Sequence, residues 1–502
     1  MQFLQYICRN TWMIIGVTLI TVLCQGRLLL LFSVGIDTEA IMVDKESLIA
    51  SWLTIGRQGL VLLKFLTEDG TLFSPLYAGA RTVIFLVLTC ILWGYLFTEV
   101  AGKDHKIAAA TFGVILVTHP ILSEQFYFKL QAAEVALSFA LMAVCLLHAH
   151  RFALTKCVRF GIVAYLLMLL LFSVYQVMNA LFLFGMVVCF FLHFIYREEW
   201  WIGREIWRYV WRVGALFILG FTSNQVIARL WFTGTDYISS QVRWGVEPVT
   251  ECLLQMIRHV VLVCLGRGLY SETYVFLAVG GICFAVFLCK KKREANHLSL
   301  HTFIAIGSML FIVAGPFYMT FISGGETVLR SQLVLPFCMA SLGYCVVLYM
   351  KNMQRRWNVL WIVILFLTVL LQGMHSIALG RTEAIRYDSD VRRARQIHGE
   401  LQEMGIPEGT PLVFIGGLEE QEDYIYGDCI GQSIFAWDVE VEPYSYHSSR
   451  RILGFFYTRG YQYAYPTPEQ VAKGVDISEE MATWPAKGSI RIEKGYVIVN
   501  FR

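Results

Sequence analysis

Long apolar runs alternate with short polar connections along most of this chain. Each run holds about twenty residues, the length of helix needed to cross roughly 30 Å of hydrocarbon. The pattern predicts a polytopic α-helical membrane protein with about 11 transmembrane helices. The predicted spans are residues 12–33, 78–99, 107–123, 131–150, 158–174, 177–196, 213–232, 271–289, 302–322, 331–350 and 358–377.

Two connections are much longer than the others, residues 35–77 and residues 233–270. Apolar side chains recur in both at short, helix-like steps, as Leu48, Trp52 and Ile55 do in the first. This spacing is typical of amphipathic helices that lie in the membrane interface. We therefore predict that both loops carry such helices on the same side of the membrane.

Basic residues set the predicted orientation. Every second connection is rich in lysine and arginine, for example residues 197–212 and 290–293, whereas the short connections between them hold Lys129 and Arg330. Cytoplasmic loops of membrane proteins carry this excess of positive charge. The N-terminus is therefore expected in the cytoplasm. The two long loops and the C-terminal segment are expected on the outer side.

The C-terminal segment has a different composition, because charged residues become frequent after the last apolar run. A helical pattern covers residues 388–404, a buried-strand pattern covers 411–415, and alternating residues at 489–500 predict a β-hairpin. The sequence thus predicts a transmembrane domain at 1–377 and an extracytoplasmic α/β domain at 378–502.

Composition narrows the possible functions. The chain is 57% hydrophobic and only 16% charged, against about 25% charged residues in soluble domains. Its net charge of +3 gives no reason to expect a nucleic acid partner. Most of the 13 cysteines lie in apolar runs, where cysteine behaves as a small hydrophobe. No cofactor is expected; the outer carboxylates could bind a divalent metal, but no ligand spacing requires one.

Asp37 and Glu39 are the leading candidates for chemistry. They follow the first apolar run, at the predicted outer mouth of the membrane, where carboxylates are costly to desolvate and are often functional. Either could act as a general base toward a substrate hydroxyl. The structural alternative is that Asp37 caps a short helix and Glu39 lies in its first turn.

Cationic side chains near the predicted outer surface form a second group of candidates. Guanidinium groups stabilise a departing phosphate through paired hydrogen bonds. The alternative for each is that it reaches toward lipid headgroups. Arg330 is the best placed, because it begins a span and is one of the few cations in the short outer loops. The group comprises Arg57, Arg81, Lys129, Arg229, Arg243, Arg258, Arg267 and Arg330.

Five further polar residues at outer helix ends are candidates for positioning a substrate. They are His119, Glu124, Tyr127, Tyr175 and Gln176. Three of them also have a structural interpretation: Tyr127 as a membrane-interface aromatic, Glu124 as a partner of Lys129, and Gln176 as a cap of backbone groups. No nucleotide-binding or hydrolase motif occurs in a suitable sequence context. The sequence therefore does not support a soluble enzyme that uses nucleotides.

Several short motifs together resemble a known family. They are Ile36-Asp37-Thr38-Glu39, Trp52-Leu-Thr-Ile-Gly56-Arg57, Ser173-Val-Tyr175-Gln176, Leu329-Arg330, and Trp484-Pro485-Ala486-Lys487-Gly488-Ser489-Ile490 ahead of Tyr496-Val-Ile-Val-Asn500. In this order along the chain they resemble the Gtr-type glucosyltransferases of bacterial surface polysaccharides, which belong to the wider GT-C membrane glycosyltransferases. The resemblance implies a GT-C-like fold and a multi-pass protein of the bacterial plasma membrane.

The resemblance also implies a reaction. The donor would be a polyprenyl-phosphate-linked sugar, usually glucose, and the acceptor a surface polysaccharide or lipid-linked glycan at the outer face. Asp37 would be the catalytic base with Glu39 second, and the transfer would invert the anomeric configuration. Arg330, with Arg267 or Arg57, would hold the donor phosphate. The family often has adjacent acids, whereas Thr38 separates them here, which leaves open which one is the base.

Two other functions compete with the enzyme. A flippase or transporter of lipid-linked sugars would place polar residues at mid-membrane in matched broken helices, whereas the polar groups here crowd the outer ends of the spans. A non-catalytic scaffold would use the outer domain to bind wall polymer. Asp37→Asn and Glu39→Gln discriminate, because only an enzyme would lose turnover while remaining folded.

Overall fold

The computed structural model describes residues 3–67, 73–102, 105–196, 203–231, 242–265, 300–350, 355–418, 427–436 and 447–502. The predicted span 271–289 and Arg267 lie outside these residues. The helices up to the end of the apolar region are α1 Phe3–Arg9, α2 Thr11–Gln25, α3 Arg27–Leu30, α4 Thr38–Val43, α5 Lys45–Thr54, α6 Gln58–Thr67, α7 Pro75–Ala101, α8 Lys106–Thr118, α9 Pro120–Tyr127, α10 Lys129–Thr155, α11 Val158–Phe172, α12 Val177–Tyr196, α13 Gly203–Trp231, α14 Val249–Cys264, α15 Leu300–Ala314, α16 Tyr318–Ser323 and α17 Val334–Met350.

The remaining elements are α18 Arg355–Glu403, β1 Leu412–Ile415, α19 His447–Thr458, α20 Pro468–Ser478, β2 Ile490–Glu493 and β3 Tyr496–Asn500.

Within the described residues, six helices are long and apolar enough to cross a membrane, or up to eight if each of two bent helix pairs forms one span. This is consistent with a polytopic membrane protein, but the predicted count of eleven is not confirmed. Helices α11 and α17 occupy predicted spans yet have only 15 and 17 residues. The first predicted span is also interrupted: α2 ends at Gln25, and an extended segment follows α3.

The break between α8 and α9 falls at His119-Pro120, inside the predicted span 107–123. The two helices are bent by 50° there. Proline lacks the N–H that would continue the helix, and its ring disfavours helical geometry in the residue before it. His119 is accordingly extended, with φ −68° and ψ 124°, and α9 starts with Pro120 in its first turn.

Helix α18 joins two elements that the sequence predicts as separate, the span 358–377 and the helix 388–404. No proline falls between them, so nothing stops the helix after the apolar run. Its 49 residues reach about 74 Å at 1.5 Å per residue, more than twice the thickness of the hydrocarbon core. The helix therefore connects the apolar helices with the C-terminal residues as one continuous rod.

The C-terminal residues contain a three-stranded sheet in the order β1-β3-β2. Strand β1 pairs with β3 in parallel and β2 pairs with β3 antiparallel, so the predicted strand and the predicted hairpin are both confirmed. Gly495 closes the hairpin in a left-handed conformation, φ +84°. Phe414 of β1 stacks on Phe501 and packs against Phe456 of α19. Helices α19 and α20 were not predicted from the sequence.

Candidate functional site

Residues 31–36 form an extended segment that carries the acidic motif. Tyr127 supports it: its hydroxyl oxygen accepts a hydrogen bond from the Ile36 N–H at 3.3 Å. The ring also lies so close to Gly35 that an added Cβ would be 2.3 Å from it. Only glycine fits this approach, so the backbone leading into Asp37 is held against α9.

Charged side chains hold the same segment from its other side. Lys129 Nζ donates to the Leu31 carbonyl oxygen at 2.7 Å and lies 2.8 Å from the Ser33 hydroxyl. Glu383 of α18 accepts from Ser33 and pairs with Arg27, and it lies 3.5 Å from Lys129. All of these side chains are buried or nearly so, which makes the network a structural support rather than a solvent-facing site.

Asp37 stands at the N-terminus of α4, but its side chain makes no capping hydrogen bond. Its backbone has φ 68°, a left-handed conformation that is uncommon outside glycine and that often marks functional positions. The carboxylate instead pairs with Arg451 of α19, with 2.8 Å between Asp37 Oδ1 and Arg451 Nη2. The capping interpretation of Asp37 therefore does not describe its side chain.

Glu39 shares the same partner, since Arg451 Nη1 lies 3.3 Å from Glu39 Oε1. The two acids differ sharply in exposure: 41% of the Asp37 side chain is exposed and 5% of the Glu39 side chain. Burial, opposed in part by Arg451, raises the pKa of Glu39 from 4.5 to about 8. Burial therefore favours the protonated form of Glu39, whereas Asp37 is the more exposed carboxylate of the pair.

Helix α19 brings its surface close to these acids along one face. A Cβ at Gly454, one turn after Arg450, would lie 3.0 Å from Glu39 Cγ, so the absence of a side chain there admits the glutamate. A polar cleft of about 860 Å³ opens beside the acids. It is lined by Asp37, Glu39, Ala40, Val43, Asp44, Ser47, Leu48, Ser51, Arg450, Arg451, Gly454, Tyr457, Tyr465, Pro466 and Pro468. We call it the acid cleft.

A second pocket, of about 350 Å³, contains five of the other predicted residues. Its lining includes Arg57, Tyr175, Gln176 and Arg330 together with Arg243, and Glu326 contributes one carboxylate. We call it the arginine pocket. The sequence predicts Arg57, Arg330, Tyr175 and Gln176 as substrate-binding residues, and the fold brings these four to one place.

Local structure explains how two of these arginines are presented. Helix α5 ends in a Schellman motif: Arg57 N–H donates to Trp52 O at 2.9 Å and Gly56 N–H donates to Leu53 O at 3.0 Å, with Gly56 left-handed at φ +75°. This turn directs Arg57 over the ring of Tyr175, 5.3 Å from its centroid. Arg330 lies 4.3 Å above the Phe128 ring.

Two aromatic rings connect the acid cleft with the arginine pocket. Tyr127, which holds Ile36 beside the acids, packs edge-on against Phe128 with ring centroids 5.5 Å apart, and Arg330 lies over the Phe128 ring. The two pockets are therefore neighbours. Cys429 lies beside Arg330, with 3.9 Å between its sulfur and Arg330 Nη1, and burial raises the pKa of its thiol to about 12.

The other predicted positioning residues have structural contacts. Glu124 is buried and accepts hydrogen bonds from the N–H groups of Asp428, Cys429 and Ile430 at 2.7, 3.0 and 3.2 Å, rather than pairing with Lys129. His119 Nδ1 accepts from the Ile121 N–H at 3.3 Å. Neither residue, nor Tyr127, lines the acid cleft or the arginine pocket, and their contact with a substrate stays a prediction.

Arg451 is the site residue that the sequence interpretation missed. It follows a charged stretch of the C-terminal segment, and no motif distinguishes it from its neighbour Arg450. Arg243 was noted only as one of several outer cations. Across the part of the chain that the structure describes, no group of three or more His, Cys, Asp or Glu side chains could hold a metal ion.

Similarity to known proteins identifies the family of this chain. No curated protein matches the chain. The family model described as "Glucosyl transferase GtrII" matches residues 26–348, more than half of the 502 residues. The matched segment contains Asp37, Glu39 and the lining of the arginine pocket, while Arg451 follows it. The chain therefore belongs to the glucosyl transferase GtrII family.

Proposed function

We propose that this protein is a membrane glycosyltransferase that moves a sugar, with glucose the expected one, from a polyprenyl phosphate to a surface polysaccharide or lipid-linked glycan. Membership of a glucosyl transferase family supports sugar transfer. The observation that carries the finer proposal is the placement of an acid pair beside a pocket of three arginines. A reaction that deprotonates a hydroxyl and releases a phosphate needs both kinds of group close together.

Asp37 is the base in this proposal. It is the more exposed acid, and its Oδ1 is held by Arg451, which orients the carboxylate toward the cleft. The acceptor hydroxyl transfers its proton to Asp37 as its oxygen attacks the anomeric carbon. The bond from that carbon to the phosphate oxygen breaks, the electron pair leaves with the phosphate, and the configuration inverts. Glu39 keeps its proton and does not compete as base.

The arginine pocket receives the departing phosphate. Three guanidinium groups face one carboxylate there, an excess of positive charge that favours a phosphate over a neutral group. Because the fold has already positioned these guanidinium groups, they need no rearrangement when the phosphate leaves. The polyprenyl chain of the donor would lie among lipid beside the apolar helices, which keeps the reactive end at the membrane surface.

The test is sugar transfer by the purified full-length protein in vesicles, with a radiolabelled polyprenyl-phosphate glucose and an isolated glycan acceptor. Asp37→Asn is expected to lower turnover by about 10²–10⁴-fold, the usual contribution of a general base, while the protein stays folded. Lys106→Gln, at the start of α8, serves as a control outside both pockets. Full turnover by Asp37→Asn would contradict the assignment, and a scaffold or flippase would show no transfer in any variant.

The face of the membrane is tested separately. Gly488→Cys, in the turn before β2, and Lys156→Cys, in the connection after α10, place a thiol at each predicted side. A membrane-impermeant maleimide added to intact cells is expected to modify Cys at 488 and to spare Cys at 156, as peptide mass spectrometry would show. The reverse pattern would place the acid cleft in the cytoplasm.

A further inference from the structure

We propose that the acid cleft binds an uncharged saccharide, and that the segment from α19 to the start of α20 selects it. The role of this saccharide as acceptor rests on the proposed function. The binding itself does not, because it follows from the shape and charge of the cleft. Three observations carry the proposal: two unlike walls, a balance of charge, and the position of Tyr465.

The walls of the cleft have different chemistry. Asp44, Ser47 and Ser51 lie at helical spacing along the start of α5 and line one side with hydrogen-bonding groups. The other side carries the rings of Tyr457 and Tyr465, whose centroids are 5.7 Å apart, followed by Pro466 and Pro468. A pyranose has the matching character, because its ring has an apolar C–H face and a rim of hydroxyl groups.

Charge in the cleft is close to balanced. Arg451 is engaged by both Asp37 and Glu39. The lining holds three carboxylates, Asp37, Glu39 and Asp44, against the guanidinium groups of Arg450 and Arg451, so the cleft has no excess of positive charge. A phosphate or uronate gains nothing here, in contrast to the arginine pocket, where three cations face one anion. The two pockets thus suit different parts of the reaction.

Tyr465 lies where the two walls meet. Burial raises the pKa of its hydroxyl to about 12, and the charges of Arg450, Asp44 and Glu39 also act on it. The hydroxyl is therefore close to α4, α5 and α19 at once and remains protonated, so it can donate a hydrogen bond. The side chain is 41% exposed, which leaves ring surface available to a ligand.

The two walls come from different parts of the sequence. Asp37, the arginine pocket and the hydrogen-bonding wall of Asp44, Ser47 and Ser51 lie within the matched residues 26–348, whereas Tyr457 and Tyr465 lie after them. The aromatic wall is therefore supplied by the segment that follows the family match.

Ligand-observed NMR with the full-length protein in detergent tests the proposal, using maltotriose as the neutral probe and trigalacturonic acid as the charged one. Saturation transfer is expected to maltotriose and to be at least about five-fold weaker to the acid. Tyr465→Ala is expected to weaken the maltotriose signal about five-fold, whereas Tyr465→Phe retains most of it because the ring remains. Tyr77→Ala, an exposed tyrosine outside the cleft, is the matched control and should leave the signal unchanged.

Equal or stronger binding of the acidic probe, or an unchanged signal in Tyr465→Ala, would overturn the proposal. If wild-type protein binds maltotriose as expected but moves no sugar from polyprenyl phosphate, the proposed function fails and the saccharide site stands. If transfer occurs and Tyr465→Ala leaves the acceptor KM unchanged, the saccharide site fails and the proposed function stands.

Discussion

Arg451 Nη2 lies 2.8 Å from Asp37 Oδ1, so a helix near the C-terminus completes an acidic motif near the N-terminus. The same guanidinium reaches Glu39 at 3.3 Å. One planar group thus fixes the spacing and orientation of two carboxylates, a geometry that suits arginine and not lysine. Because Arg451 follows the matched family segment, the arrangement of the two acids depends on two distant parts of the chain.

The first prediction concerns Arg451. Arg451→Gln is expected to lower kcat about 10²-fold, since small displacements of a catalytic group have effects of this size. The kcat of Arg451→Lys should lie between the values for Arg451→Gln and wild type, because one ammonium group cannot hold both acids. Without the Arg451 charge, which lowers the pKa of Glu39, the part of the pH–rate profile that reflects Glu39 should also move to higher pH. The measurement is kcat for sugar transfer from pH 5 to pH 9.

Arg491→Gln is the control for that experiment. Arg491 is half exposed and pairs with Glu493 at 2.9 Å on the β2–β3 hairpin, and an exposed pair of this kind contributes little to stability. Its turnover and pH profile should match wild type. Arg451 would be a purely structural residue if Arg451→Gln lowered the amount of folded protein but left the shape of the pH–rate profile unchanged.

The second prediction concerns Glu39 and pH. Its pKa rises from 4.5 to about 8 on folding, so between these values the unfolded chain releases a proton that the folded protein retains. The contribution of Glu39 to stability is therefore fully present below about pH 4.5 and is lost as the pH rises through about 8. Glu39→Gln cannot ionise and should remove this loss. Thermal unfolding in detergent from pH 5 to pH 8.5 measures the difference.

Glu480→Gln, at an exposed carboxylate after α20, is the comparison for Glu39→Gln and should follow the wild-type pH dependence. Parallel curves for wild type and Glu39→Gln across the whole range would show that Glu39 is already ionised at neutral pH. Glu39 would then be an equal candidate for the base.

The third prediction concerns the donor. Arg330→Gln is expected to raise the KM for the polyprenyl-phosphate sugar at least about ten-fold, because a charge-assisted hydrogen bond contributes about 1.5–3 kcal/mol. The KM for the glycan acceptor should stay unchanged. Arg159→Gln, an exposed arginine at the start of α11, serves as control. A rise in the KM for the glycan acceptor alone would show that Arg330 contributes to acceptor binding and not to donor binding.

The fourth prediction concerns the loop that Glu124 holds. Glu124→Ala leaves the N–H groups of residues 428–430 without their carboxylate acceptor, so the loop should loosen. The pKa of the Cys429 thiol, now about 12, should then fall toward its usual value as burial decreases. Alkylation of Cys429 near pH 8 is expected to accelerate at least about ten-fold, with Glu124→Gln intermediate.

Cys157 provides the internal comparison for this measurement, because it lies in another connection and should react at its wild-type rate in every variant. An unchanged Cys429 rate in Glu124→Ala would mean that other contacts hold the loop. Asp390 is the residue to examine next, since it accepts from Ser433 and from the Ile434 N–H at 3.4 Å.

Sequence patterns predicted the features that depend on residues close to one another in the chain. The strand at 411–415 and the hairpin at 489–500 follow from alternation and turn residues, and both are present. Arg57 and Arg330 were predicted from their residue type and outer position, and the fold places both in one pocket. These features can be predicted from the type of each residue and from its position along the predicted helix or strand.

Features that depend on distant packing could not be predicted. Nothing in the chain near Arg451 indicates that α19 would lie over Asp37, because that contact is set by the core between α18, α19 and the sheet. The break at His119-Pro120 was signalled by proline, yet the apolar residues on both sides favoured one span. Helices α19 and α20 are amphipathic but have only 12 and 11 residues, so their patterns extend over few turns and do not stand out from the mixed segment around them.

The length of α18 gives the bilayer itself a part in this site. Tyr387, in the C-terminal half of α18, accepts a hydrogen bond from Arg459 at 3.2 Å and packs edge-on against Phe455 of α19, the helix that bears Arg451. A transmembrane helix tilts or shifts when its apolar length differs from the thickness of the surrounding hydrocarbon. In a thicker or thinner membrane, a shift of α18 would therefore be transmitted through Tyr387 to α19 and would change the position of Arg451 relative to Asp37 and Glu39.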